Sequence, residues 1–262
     1  MTLTDLVSSS SAVASSLSSS LTNSLSSGKT ATQTPSGVQA KSSVLQKAET
    51  RIQAAVDQTT TRLSTMGKLK SAVSEVQLAS RALHSLTTTA SGASVKLAAS
   101  SLVTAYNNAI KTARVAAAVT GAPSESASAK RVSRELLQSV AADATTLASL
   151  KKLGISVLPD GTLALDSKVL DAAQAAGLAG AIANIATLGK LGSNVDKAAT
   201  QSLENKSNQL SLGSALSSVN LRATALTAQQ AGLATLAQNL TTAAQNTTSS
   251  GFGSYGLSAY LK

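Results

Sequence analysis

The residues able to do chemistry in this chain are few. It holds one histidine and no cysteine in 262 residues. Nucleophilic triads need a base beside the nucleophile, usually histidine. His84 has no second histidine and no nearby carboxylate in the sequence. It reads as a partly exposed surface side chain and not as a metal ligand. The absence of cysteine excludes a disulfide framework, a thiol nucleophile and a cysteine zinc site. No phosphate-cradling glycine loop and no dinucleotide fingerprint is present. The few carboxylates sit mostly at turns or helix starts, as Asp160 and Asp166 do, and form no acid–base pair. The sequence reads as a non-enzyme with no cofactor and no metal.

Charge narrows the partners. The formal net charge is +10, yet the cations are scattered, with Lys130-Arg131 and Lys151-Lys152 the adjacent pairs. Nucleic-acid sites cluster their cations and often add stacking aromatics. Aromatics are only 2 % here, so no nucleic-acid partner is expected. No apolar run reaches the roughly 18 residues of a membrane span. The first twenty residues have no basic start and no continuous apolar stretch, so no cleaved secretory signal is expected. If the protein leaves the cell, it uses another route.

Composition also selects the elements. With one Phe, three Tyr and no Trp, the large side chains that usually fill a thick core are missing. Long helices packed through Ala and Leu suit such a chain. The expected fold is mainly α: long N- and C-terminal helices pair as a coiled coil or helical bundle, with one small β-hairpin around 155–165.

Residues 1–40 are rich in Ser and Thr with sparse apolar side chains, too few to offset ordering entropy. They read as a disordered tail or an unfolded export signal, and composition does not choose. Residues 41–90 read as a long helix. Ile52, Val56, Leu63, Met66, Leu69 and Val73 form an apolar stripe close to a coiled-coil seam. Gly67 interrupts it at about 1 kcal/mol relative to Ala. Residues 91–195 form a helical region around the hairpin. Its first helix, 95–119, has Leu97, Leu102, Val103, Tyr106 and Ile110 as apolar residues. A second runs to Leu150, a third covers 168–186, and Leu188–Ser193 reads as a loop. Residues 196–248 read as the C-terminal long helix. Leu212, Val219, Leu226, Leu233 and Leu240 recur every seven residues. Leu216, Ala223, Gln230 and Ala237 follow four residues later, the strongest periodic signal present. Residues 249–262 carry Phe252, Tyr255 and Tyr260 among glycines and read as a docking tail or a flexible end.

The hairpin reading rests on residues 151–173. Ile155–Leu158 and Thr162–Leu165 are short β-type runs, and Pro159-Asp160-Gly161 between them is a turn signal. Asp166 or Ser167 caps a helix whose apolar residues are Val169, Leu170, Ala173 and Ala176. This stretch, LGISVLPDGTLALDSKVLDAA, resembles the C-terminal region of the bacterial flagellar filament-cap family, hook-associated protein 2. The shared features are Leu153-Gly154-Ile155, Asp160-Gly161-Thr162-Leu163 and Leu165-Asp166-Ser167-Lys168. Leu63-Ser64-Thr65-Met66-Gly67-Lys68-Leu69-Lys70-Ser71-Ala72 is similar to a motif of the family's N-terminal helix. Leu102-Val103-Thr104-Ala105-Tyr106-Asn107-Asn108 resembles the Tyr-Asn segment that opens the family's C-terminal region. The large β-rich region that the family carries between these segments is absent. The chain resembles a shortened form.

The resemblance implies a structural axial component of the flagellum, secreted by the flagellar export route. It implies homo-oligomers that assemble through helical legs and promote flagellin polymerisation at the filament tip. The implied partners are further copies of the chain, flagellin, other hook-associated proteins and a secretion chaperone. The leg would be held by the two stripes, Ile52 to Val73 and Leu212 to Leu240. The alternative is a non-flagellar helical structural or binding protein, such as a granule-coat or phage structural protein.

Overall fold

The computed structural model describes residues 36–119, 123–141, 144–175, 178–204 and 211–249. The expectations for residues 1–35 and 250–262, export signal and docking tail included, lie outside them. The described residues form seven helices and one two-stranded antiparallel sheet, a mainly α fold. In order these are α1 (Ser36–His84), α2 (Gly92–Ala118), α3 (Pro123–Val140), α4 (Ala144–Lys152), β1 (Ile155–Val157), β2 (Leu163–Leu165), α5 (Ser167–Ala175), α6 (Leu178–Leu203) and α7 (Leu212–Ser249).

The punctuation is local. Pro35 directly precedes α1, Pro123 is the first residue of α3, and Pro159 lies between the strands. Proline fits each place, because it lacks the N–H that a helix interior or strand ladder would use. Ser91 caps α2, its hydroxyl accepting from the Ser94 N–H at 3.2 Å. Asp166 caps α5 by accepting from the N–H groups of Lys168 and Val169 at 2.9 and 3.3 Å. Both caps satisfy donors that a helix start leaves without an intrahelical partner.

The chain divides into two compact units, Arg62–Val219 and the remainder. The larger is a helical bundle. Its core joins Met66, Leu69 and Val73 of α1 to Leu102, Tyr106 and Ile110 of α2 and Val132 and Leu136 of α3. Leu188, Leu191 and Val195 of α6 and Leu212 and Ala215 of α7 complete it. Alanines fill much of the remainder, among them Ala72, Ala99, Ala109, Ala113, Ala129 and Ala199. Short side chains let helices approach closely, so the core needs little aromatic bulk. Tyr106 is the largest of its fully buried side chains.

Four expectations are corrected. Leu188–Ser193 is not a loop: α6 runs through it from Leu178 to Leu203. Of the two glycines there, Gly192 serves packing. A Cβ on Gly192 would lie 2.6 Å from the Ser80 carbonyl oxygen and 2.9 Å from the His84 nitrogen, so α6 crosses α1 at backbone contact. The C-terminal helix accordingly begins at Leu212 and not near residue 196. The helix expected to run on to Leu150 is two helices, α3 and α4, and Leu97 is 69 % exposed where it was expected on the apolar face.

Candidate assembly site

The smaller unit is described over residues 36–61 of α1 and 220–249 of α7. Between Asn220 and Ala243 the shielded residues are Ala223, Leu226, Gln230, Leu233, Ala237 and Leu240, and every other position is exposed. They recur at alternating spacings of three and four, which traces a coiled-coil seam. On α1 the matching residues are Leu45, Ala48, Ile52, Gln53, Ala55, Val56 and Thr59. The side-chain amide of Gln230 donates to the Gln53 carbonyl oxygen across the seam at 2.9 Å. The two long helices therefore pair as the heptad pattern requires. Burial is graded: Val56 and Leu226 are buried, while Ile52, Leu233 and Leu240 are partly shielded.

In the bundle, Met66, Leu69, Val73, Leu212 and Val219 are buried, and Leu63 and Leu216 lie at the seam edge. From residue 59 the buried positions on α1 are 59, 62, 66, 69, 72, 73, 76, 80 and 83, all but Ala72 at spacings of three and four. Arg62, and not Leu63, holds the place that this spacing demands. Three seam residues are thus polar, Thr59, Arg62 and Ser80. Two of them satisfy themselves. Thr59 donates its hydroxyl to the Ala55 carbonyl at 2.7 Å and Ser80 donates to Val76 at 2.6 Å, so burial leaves no orphan hydroxyl. Sequence reading followed the apolar residues and passed over these. The signal that would find them is the unbroken three-four spacing.

The inner half of α1 packs against α6 through polar rungs. Gln77 donates to the Thr200 hydroxyl at 2.7 Å, Arg81 pairs with Asp196 at 3.1 Å, and His84 Nδ1 faces the Gly189 carbonyl at 3.1 Å. Partner numbers fall as α1 numbers rise, so the helices run antiparallel. His84 stays exposed, and its ring spans a helix crossing. No group of three or more metal-ligating side chains occurs among the described residues.

The hairpin is held by α2 and α3. Its register pairs Ile155 with Leu165 and Val157 with Leu163. Gly161 has φ +73°, and a Cβ there would stand 2.7 Å from Leu137 Cδ2. Asp160 Oδ1 accepts from the hydroxyl and N–H of Thr162 at 2.6 and 3.0 Å, which holds the carboxyl below its usual range. Asn107 donates to the Leu163 carbonyl at 2.8 Å and accepts from its N–H at 2.7 Å. At the other end, Gly154 has φ +77°, and a Cβ would lie 2.4 Å from the Asp166 carbonyl oxygen. Val169, expected on the apolar face of α5, is 38 % exposed, Leu170 is fully buried, and Ala176 lies outside the described residues.

A gap of about 10 Å³ between Arg62, Met66, Ala116 and Glu125 has room for one water. A groove of about 410 Å³ is lined by Glu75, Ser100, Ser101, Thr104, Ala105 and Asn108. Within it the Asn108 side-chain amide lies 3.4 Å from Glu75 Oε2. No helix among the described residues is long and apolar enough to cross a membrane. No known protein family, no characterised protein and no solved structure matches the chain.

Proposed function

We propose that the protein is a structural axial component of the bacterial flagellum, of the filament-cap type, with no catalytic role. It is exported by the flagellar route, assembles with further copies of itself through helical legs, and promotes flagellin polymerisation at the filament tip. One observation carries the reading: in the smaller unit, residues 43–61 of α1 and 220–243 of α7 pair through a single narrow seam and leave the rest of their surfaces exposed. A helix pair of that kind buries little area on its own and gains stability by packing in an assembly. The motifs that resemble those of the filament-cap family support the same reading, since they fall on the inner half of α1, on α2 and on the clamped hairpin.

Gene deletion tests it. Short or missing filaments with monomeric flagellin in the medium are expected, rescued by the wild-type gene and not by the Leu226→Asp variant. Normal filaments after deletion would remove the flagellar role and point to a helical coat or phage structural protein.

A further inference from the structure

The scattered cations of the sequence gather at the tip of the hairpin. Arg114 Nη1 of α2 lies 3.9 Å from Asp160 Oδ2. Lys111 sits on the same side of α2, between Asn107, which holds Leu163, and Arg114. On α3, Leu137 touches Gly161, and Arg134 and Lys130 occupy the preceding turns of that face, since residues three, four and seven apart share a side. Arg131 is engaged by Glu135. Lys111, Lys130 and Arg134 are exposed. Among the described residues, Asp160 is the one carboxylate paired with this group, and Thr162 already holds its other oxygen. Beside the cations, Leu158 is 42 % and Val115 62 % exposed. The tip thus combines uncompensated positive charge with two aliphatic anchors.

We propose that the hairpin tip docks an acidic, leucine-bearing segment of another protein. Charge decides the class of partner. A second copy carries +10 and only 12 acidic residues, so its approach here is repelled. Nucleic acid would use stacking aromatics and offers nothing for Leu158 and Val115 to bury against. Carboxylates interspersed with aliphatic side chains match both features, the charges setting orientation and the aliphatic contacts slowing release. The inference stands apart from the flagellar reading.

The test is binding of a labelled synthetic peptide of alternating Glu and Leu to the full chain, followed by fluorescence anisotropy. Affinity is expected to fall between roughly 0.05 and 0.3 M salt. Lys111→Glu with Arg134→Glu is expected to weaken it about tenfold, and Leu158→Ser about threefold. Lys111→Gln with Arg134→Gln gives a milder loss in the same direction and guards against misfolding in the charge-reversed protein. Lys151→Glu with Lys152→Glu changes net charge equally at a different site and is expected to leave binding within about twofold. Equal losses in the two charge-reversed proteins, or equal binding of a leucine-free oligoglutamate, would overturn the proposal. So would tighter, patch-dependent binding of a DNA duplex or of phosphatidylglycerol vesicles.

Discussion

Asn107 and Leu163 exchange two hydrogen bonds, side-chain amide to backbone carbonyl at 2.8 Å and backbone N–H to side-chain carbonyl at 2.7 Å. The asparagine of α2 thereby acts toward β2 as a neighbouring strand would. A two-stranded hairpin is marginal in water, and this contact supplies an edge partner without a third strand. Leu163 is only 3 % exposed, so its backbone groups have little access to water in the amide's place. Asn107→Ala is expected to cost about 2–3 kcal/mol, because it orphans a buried donor and acceptor. Chemical denaturation reads the loss, and hydrogen exchange at the Leu163 amide should lose protection first. An unchanged denaturation midpoint would refute the clamp.

Tyr106 gives the opposite expectation. Its side chain is fully buried and its hydroxyl has no partner among the described residues. Tyr106→Phe removes an unsatisfied polar group and should raise stability by about 1 kcal/mol. Burial pushes the phenol pKa well above its usual value. Below about pH 10 neither the folded nor the unfolded chain loses this proton. Above it the unfolded chain ionises while the folded one does not, so stability falls by about 1.4 kcal/mol per pH unit. The Phe variant should show a shallower decline between pH 9 and pH 11 in urea titrations. Parallel curves would count against this burial.

Two glycines of one helix should respond with opposite signs. Gly189 has nothing within 4 Å of a built Cβ, whereas Gly192 would place one 2.6 Å from the Ser80 carbonyl oxygen. Gly189→Ala should stabilise by up to about 1 kcal/mol through helix propensity alone. Gly192→Ala should push α6 off α1, lose the Arg81–Asp196 and Gln77–Thr200 contacts, and cost about 1–3 kcal/mol. Melting temperatures of the two variants decide the matter. A shift in the same direction would show that the crossing is looser than described.

The seam should show a gradient. Leu226 is 9 % exposed and Leu240 is only partly shielded. Leu226→Ala should cost about 2–3 kcal/mol and Leu240→Ala less than about 1 kcal/mol. Helical signal against denaturant measures both. Equal losses would mean that the outer end of the pair is as tightly packed as the inner end.

Sequence alone determined the helical class, the coiled-coil register of α7 and the hairpin with its cap. Each is local: leucines every seven residues, Pro159-Asp160-Gly161 between two short runs, and a carboxylate before a helix. A chain with one Phe and no Trp has little freedom but to pack helices through alanine. The tertiary structure decided what local pattern leaves open. Glycine reads as a stop, yet Gly189 and Gly192 lie inside α6, and only the approach of α1 reveals why Gly192 lacks a side chain. Leu63 reads as part of the apolar stripe, yet Arg62 takes the seam place beside it, because burial follows the angle around the helix and not hydropathy. Lys111, Arg114, Lys130 and Arg134 look dispersed along the chain. They converge because α2 and α3 both pack against the hairpin, which no spacing within either helix encodes.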